Sequence, residues 1–330
     1  MKNNMNKRNI VLDIAKGLTI VLVVIGHFFP KNSPESYVKL HQWIYSFHMP
    51  LFMFISGYIY LVYKNKDLSY SGFICNKIKR LMIPYFFVST IIITLKILSS
   101  GNAYLQNPAT VFSYLEMFYL PSAGYFMWFL WSLFTIFLIV PIFKNKKLRL
   151  CLFVFSLLLN LLSFKFSFPR LFSLHETQTH FVWFMLGVLV ADYSERYSNV
   201  LCLWCKIISI ASFVILSFII SKVNMGIFEK IMPLFGIPAV LSLSSIISRI
   251  SGKFTFIIAD LLGIGCFIIY LCHTTFAGFA KAVFKKLPVG DDLFFLEAIV
   301  VILAGLIFPI LLDHFVIRRF KFTRFIFAYK

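Results

Sequence analysis

Long apolar runs follow one another along almost the whole of this 330-residue chain. A sliding window of about 19 residues separates ten of them. They lie near residues 10–29, 43–62, 81–98, 124–142, 148–164, 179–193, 200–221, 231–248, 254–276 and 293–315. Inside a bilayer every backbone polar group must be satisfied within the protein, and runs of this length achieve that as helices. We therefore predict an all-α membrane protein, a bundle of about ten transmembrane helices.

The basic residues predict how this bundle is oriented, because cytoplasmic loops carry an excess of Lys and Arg. With the N-terminus in the cytoplasm, 20 of the 32 basic residues fall inside and nine outside. A miscounted helix would reverse the side of every later loop, so the bias favours ten spans with both termini cytoplasmic. We predict one integral-membrane domain over residues 1–330, without a soluble extension, in the inner membrane of a bacterium.

Composition excludes other classes of protein. The chain is 60% hydrophobic, with 41 Phe, which is more apolar surface than a soluble core of this length can hide. Its net charge of +19 lies between apolar runs rather than on one soluble face, so we predict no nucleic-acid partner. The six Cys show no spaced framework, and Cys202 and Cys205, a weak CxxC pair, are interpreted as packing residues, so we predict no metal.

The first apolar run carries three ionisable residues, Asp13, Lys16 and His27. Asp13 and Lys16 are three residues apart and can pair. Lys16 and His27 are eleven apart, which places them on one helix face, separated by roughly 16 Å along the axis. The imidazole of a histidine has an unperturbed pKa near neutral, so His27 suits a general base. The alternative is that Asp13 and Lys16 are interfacial and that His27 marks the outer boundary.

Helix 1 resembles the signature of the membrane-bound acyltransferase 3 family, in which a basic residue, usually Arg, precedes a catalytic His with ten residues between. In this chain the motif is Lys16 to His27. Lys in place of Arg resembles a subgroup that includes sugar O-acetylases and reads DIAKG at this point. Lys keeps the charge but loses the planar bidentate fork of Arg.

Other segments resemble the family in the same order along the chain. They are Phe47 to Phe52, Ile55 to Tyr58, Arg80 to Tyr85, Trp128 to Leu130 and Tyr270 to His273. The resemblance implies a membrane O-acyltransferase that moves an acyl group, most simply acetyl from cytoplasmic acetyl-CoA, to a sugar hydroxyl. The acceptor would be a capsule, O-antigen or exopolysaccharide, or its lipid-linked precursor. Membrane lipid and polysaccharide-assembly proteins would be further partners.

The resemblance also implies roles for particular residues. His27 would be catalytic, supported by Lys16 and Asp13. His48, Ser56, Tyr270 and His273 would line an acceptor pocket. Two readings stay open here, since His48 lies beside aromatic residues typical of a membrane interface, and Ser56 is equally a small residue that lets helices pack closely.

Three cations before the third span, Lys77, Lys79 and Arg80, together with Lys16, would grip the phosphates of an acyl-CoA. Ordinary topology signals look the same. Transfer could proceed directly or through an acylated His27. A glycan or lipid transporter, or an inactive partner of a polysaccharide synthase, also fits a multi-helix chain with buried charges.

Overall fold

The structure is a computed structural model that describes residues 8–63, 68–100, 108–197, 203–220, 225–250, 252–284, 286 and 293–329. Within these ranges the regular secondary structure is helical, without strands. The α-helices are α1 (Ile10–His27), α2 (Glu35–Tyr45), α3 (His48–Val62), α4 (Tyr70–Lys77), α5 (Ile83–Ser99), α6 (Ser113–Glu116), α7 (Trp128–Ile139), α8 (Lys146–Leu162), α9 (Leu174–Tyr197), α10 (Leu203–Ile220), α11 (Met225–Ile247), α12 (Lys253–Phe256), α13 (Ile264–Phe284), α14 (Phe294–Leu312) and α15 (Lys321–Ile326). Three π-helical turns, Ile78–Met82, Ile257–Gly263 and Asp313–Ile317, directly follow α4, α12 and α14.

Each of the ten predicted apolar segments coincides with helix in the part of the chain that the structure describes. Seven helical stretches are long and apolar enough to cross a membrane. They are Ile10–His27, Glu35–Val62, Tyr70–Ser99, Tyr125–Ile142, Phe228–Ile247, Lys253–Phe284 and Phe294–Ile317. The other three predicted spans coincide with α8, α9 and α10. The helical, multi-pass architecture is therefore confirmed, whereas the count of ten and the cytoplasmic termini stay predictions.

Two predicted boundaries differ from the structure. The run 43–62 is divided, since α2 ends at Tyr45 and α3 begins at His48. Pro50 falls in the first turn of α3, where a missing N–H leaves no helical hydrogen bond unmade. The run predicted from 179 begins at Leu174, because its early polar side chains have partners. Glu176, for example, accepts a hydrogen bond from the Tyr125 hydroxyl at 2.5 Å.

The chain divides into two compact units, and the first comprises Met1–Lys64 and Leu186–Ile310. Within it α1 packs against α2, α3, α11, α13 and the π turn Ile257–Gly263. Ile14, Ile20 and Val23 of α1 are fully buried. Helix 1, which carries the three ionisable residues, is thus surrounded by the other helices of its own unit.

The second unit comprises Asn65–Met185 and Leu311–Lys330. Within it α7 packs against α4 and the π turn Ile78–Met82. The buried hydroxyl of Tyr85 donates to the carbonyl oxygen of Met117 at 2.9 Å, which ties α5 to the chain after α6. Arg318 and Tyr329 both bond the carboxylate of Asp313, at 2.8 and 2.7 Å. The prediction of a single membrane domain stays a prediction.

Candidate active site

Helix α1 carries polar groups at both of its ends. The side chain of Asn9 caps its first turn by accepting hydrogen bonds from the backbone N–H groups of Val11 and Leu12. Asp13 follows in that same region, where a carboxylate interacts favourably with the positive end of the helix dipole. His27 is the last residue of the helix. The rigid helix therefore fixes how far the charged end lies from the histidine end.

At the C-terminal end of α1, His27 is solvent-exposed and meets a second histidine from α13. The ring centroids of His27 and His273 are 5.0 Å apart, with the rings tilted by 48°. His273 is fully buried. The pair places one exposed imidazole against one that is held inside the protein.

The two buried histidines at this end have defined tautomers. Nδ1 of His273 lies 2.8 Å from the carbonyl oxygen of Tyr270, and Nδ1 of His48 lies 2.7 Å from that of Ile44. A carbonyl oxygen only accepts hydrogen bonds, so Nδ1 must carry the proton in both rings. In the neutral rings Nε2 is then the atom with the lone pair. The ring of His273 is thus oriented by the backbone of its own helix, α13, and that of His48 by the backbone of α2.

Helix α2 completes this end with an aromatic stack. The rings of Phe29, His41 and Tyr45 stack in series, with centroid separations of 4.0 and 4.2 Å. The centroid of the Tyr45 ring also lies 4.9 Å from that of His48 and 6.3 Å from that of His27. His41 in addition hydrogen-bonds to the backbone of Gly26. We refer to His27, His41, Tyr45, His48 and His273 as the histidine cluster.

The N-terminal end of α1 carries a chain of ion pairs. The ammonium of Lys16 lies 2.7 Å from Oδ1 of Asp13, and Nε of Arg8 lies 2.6 Å from Oδ2 of the same carboxylate. Nη1 of Arg8 lies 2.5 Å from Oδ1 of Asp260. The predicted pairing of Asp13 with Lys16 is present, and Asp13 bridges two cations. We refer to Arg8, Asp13, Lys16 and Asp260 as the ion-pair chain.

The ion-pair chain is only partly sheltered from solvent. The side chains of Asp13 and Lys16 are 12% and 22% exposed, and that of Arg8 is 46% exposed. Hydrogen bonds to Asp13 and then to Asp260 raise the pKa of Arg8 further above its already high usual value. A cavity of about 330 Å³ opens here, and Arg8, Lys16 and Tyr63 are among the residues that line it.

A close backbone crossing brings Asp260 to this end of α1. A Cβ added at Gly17 would collide with the carbonyl oxygen of Ile258, and one added at Gly263 would collide with that of Asp13. Glycine at both positions lets α1 and the π turn Ile257–Gly263 approach more closely than larger residues would permit. π turns within helices are often found at functional sites. Here the turn places the carboxylate of Asp260 next to Arg8, which precedes α1.

The remaining predicted residues are distributed over both units. Tyr270 is buried beside the histidine cluster, with its ring 6.4 Å from that of His273, and Ser56 is half-buried on α3. In the second unit, the ammonium of Lys77 lies 3.8 Å from the centre of the Phe137 ring. Lys79 and Arg80 are exposed on the π turn Ile78–Met82. Their joint role with Lys16 in donor binding stays a prediction.

Sequence reasoning missed some members of both clusters. Arg8 looked like an ordinary cytoplasmic topology signal, and its partner Asp260 is 252 residues away in the chain. His41 lies seven residues before His48, a spacing typical of one helix face, but the division between α2 and α3 interrupts that pattern. In the described residues no group of three or more His, Cys, Asp or Glu is placed to hold a metal ion, and Cys202 lies outside them.

These features define a multi-pass membrane protein with a polar site at each end of one buried helix. A family model described as an acyltransferase domain, that of acyltransferase 3, matches residues 9–314. The chain therefore belongs to the acyltransferase 3 family. The resemblance to the family is therefore confirmed, whereas the roles of Lys16 and His27, which lie in the matched range, stay predictions.

Two curated relatives match part of the chain. The nodulation protein NolL of Sinorhizobium fredii is 44% identical over 59 residues, which is 16% of this chain and 16% of the relative. NolL of Mesorhizobium japonicum is 35% identical over 96 residues, 28% of this chain and 26% of the relative. The chain thus covers about a quarter or less of these relatives. No solved structure matches the chain.

Proposed function

We propose that this acyltransferase is an O-acetyltransferase that moves an acetyl group from cytoplasmic acetyl-CoA to a sugar hydroxyl outside the membrane. The acceptor is a cell-surface polysaccharide, such as a capsule, O-antigen or exopolysaccharide, or its lipid-linked precursor. The protein resides in the inner membrane of a bacterium. Its partners are the acyl-CoA, the sugar acceptor and membrane lipid, and polysaccharide-assembly proteins would deliver the acceptor.

One observation carries this proposal, the placement of an exposed histidine and the ion-pair chain at opposite ends of a single buried helix. His27 and Lys16 are eleven residues apart on α1, which corresponds to roughly 16 Å along the helix axis. Acyl transfer across a membrane needs a donor site on one side and a base on the other. Helix α1 can hold both groups at a fixed separation.

His27 acts as the general base in this mechanism. Its imidazole takes the proton of the acceptor hydroxyl while the hydroxyl oxygen attacks the thioester carbon. A C–O bond forms and the C–S bond breaks, and the proton passes from His27 to the departing thiolate. His273 contacts the His27 ring and is itself held by the carbonyl oxygens of Ile269 and Tyr270. It would orient His27 for this step.

A covalent variant uses the same groups. His27 first accepts the acetyl group and releases CoA, and the sugar hydroxyl then attacks the acetylated imidazole. A single turnover with labelled acetyl-CoA and no acceptor separates the two routes. Label retained on the wild-type protein but absent from His27→Ala favours the covalent route. Unlabelled wild-type protein favours direct transfer.

At the other end of α1, the cavity beside Arg8 and Lys16 receives the donor. The pantetheine arm passes Lys16 toward His27, and the CoA phosphates lie at the cytoplasmic surface. Lys79 and Arg80 are exposed cations suited to phosphate, whereas Lys77 is engaged with aromatic rings. Asp13 pairs with Lys16 rather than with substrate.

Mass spectrometry of the surface glycan from cells with and without this protein tests the proposal. An acetyltransferase adds the mass of one acetyl group to each modified sugar, and mild base removes it. Loss of glycan export with unmodified sugar would instead indicate a transporter. Unchanged glycan mass and unchanged export in a host that makes the acceptor would contradict the proposed function.

A further inference from the structure

The ion-pair chain contains two residues that no role in acyl transfer yet explains, Arg8 and Asp260. Neither belongs to the Lys16-to-His27 motif. Arg8 precedes α1 and bonds to two carboxylates through different nitrogen atoms, Nε to Asp13 and Nη1 to Asp260. A guanidinium can hold two partners in fixed directions because its donors lie in one rigid plane. Arg8 is therefore built into the site from two sides.

Lys16, at the end of the ion-pair chain, needs a fixed partner to hold its side chain in place. A lysine ammonium is a point charge on a flexible four-carbon stem, so it has no preferred direction of its own. In this protein Oδ1 of Asp13 holds the ammonium at 2.7 Å, while Oδ2 of the same carboxylate is held by Arg8 at 2.6 Å. Fixing one oxygen of a carboxylate also fixes the other, so Arg8 restricts where Lys16 can lie.

Asp260 supplies the last link from a second segment of the first unit. It sits on the π turn Ile257–Gly263, which the glycine contacts at Gly17 and Gly263 bring against α1. The two cations and two carboxylates balance in charge. A cluster without net charge is better suited to position one group than to attract anions in general.

We propose that Arg8 and Asp260 are positioning residues, which act through Asp13 to fix the Lys16 ammonium in the donor cavity. Asp260 anchors Arg8, Arg8 orients Asp13, and Asp13 directs Lys16 toward the acyl donor. This inference rests on the proposed function, since Lys16 is the residue that would contact the acyl-CoA. A lysine lacks the rigid plane of donors that an arginine has. Arg8 compensates for this by fixing Asp13, which in turn holds Lys16.

Steady-state kinetics of the reconstituted protein with acetyl-CoA test this proposal. Arg8→Gln and Asp260→Asn should each raise KM for acetyl-CoA at least about tenfold, because small misplacements of a binding group have large effects. The KM for the acceptor should stay unchanged. Arg8→Lys should give an intermediate value, since a lysine keeps the charge without the two-sided grip. In a Lys16→Gln background, Arg8→Gln should add little.

Arg318→Gln is the matched control. Arg318 also bonds through Nε to an aspartate five residues away, Asp313, but it belongs to the second unit and lies outside the cavity. It should leave KM for acetyl-CoA unchanged, because Arg318 does not line that cavity.

Three results would overturn the inference. Unchanged KM in both Arg8→Gln and Asp260→Asn would show that Lys16 does not depend on them. Effects of Arg8→Gln and Lys16→Gln that multiply would mean that Arg8 contacts the donor itself. A lower thermal unfolding midpoint with unchanged KM would mean a purely structural role. If instead the wild-type protein transfers no acetyl group, the proposed function itself fails, and this inference fails with it.

Discussion

His27 differs from the buried histidines of its cluster in the exposure of its side chain. His48 and His273 are 2% and 0% exposed and donate from Nδ1 to helix carbonyls, whereas His27 is exposed at the end of α1. A buried ring with a fixed tautomer is suited to orientation, and an accessible ring is suited to exchanging a proton with substrate. We therefore propose that His27 is the reacting histidine of the cluster and that His48 and His273 support it.

Ser56 provides a test of this assignment, because it is the serine among the predicted site residues. Ser56→Ala should lower the acyl-transfer rate by about tenfold or less, the effect of one lost hydrogen bond. A His27-based mechanism needs no serine nucleophile. The rate of the purified variant with labelled acetyl-CoA measures this. A fall of several orders of magnitude with normal folding would indicate a serine mechanism instead.

Lys16 and Arg8 show how far individual residues could be predicted from the sequence. The spacing of Asp13 and Lys16 on one helix predicted their ion pair, and the structure confirms it. The role of Arg8 could not be predicted, since its contact with Asp260 depends on how two distant segments pack. Local periodicity reports neighbours on one helix, but it carries no information on which helices meet.

At the scale of elements, the crossing of α1 with the π turn Ile257–Gly263 determines how the ion-pair chain is held. Gly17→Ala should destabilise the protein by about 1–3 kcal/mol, as overpacking of a close contact does. The added Cβ meets the backbone oxygen of Ile258, which cannot move as a side chain could. Thermal unfolding in detergent measures the effect, together with KM for acetyl-CoA, which should rise.

Gly278→Ala serves as the control for that substitution. Gly278 also lies within a helix, α13, but a Cβ added there meets nothing within 4 Å. Alanine at this position should leave stability unchanged or raise it by up to about 1 kcal/mol, because alanine is the better helix former. Equal destabilisation by both variants would show that the crossing at Gly17 is not close.

The helical elements were largely predictable, whereas their interruptions were not. Each apolar run forms a helix because a helix satisfies the backbone hydrogen bonds of a long segment inside the bilayer. The break before α3 and the early start of α9 depend on Pro50 and on the hydrogen bond between Glu176 and Tyr125. The π turns leave no clear mark in the sequence, so the position of Asp260 could not be predicted.

For the whole molecule, the bias of basic residues predicts ten spans with both termini in the cytoplasm. Seven helical stretches in the described ranges meet the length and hydropathy expected of spans, so the remaining three, α8, α9 and α10, decide the count. A green fluorescent protein fused to the C-terminus should fluoresce, and alkaline phosphatase fused there should be inactive. Active phosphatase at the C-terminus would mean an odd number of spans or a reversed orientation.

The proposed function requires that His27 catalyses transfer of an acetyl group from donor to acceptor across the membrane. The most direct measurement uses sealed vesicles that contain the protein, with labelled acetyl-CoA supplied to the cytoplasmic face and the glycan acceptor to the other. We predict label on the acceptor with wild type and with His314→Ala, an exposed histidine outside the cluster, and at least about 100-fold less with His27→Ala. Equal labelling by His27→Ala at equal protein level would contradict a catalytic role for His27.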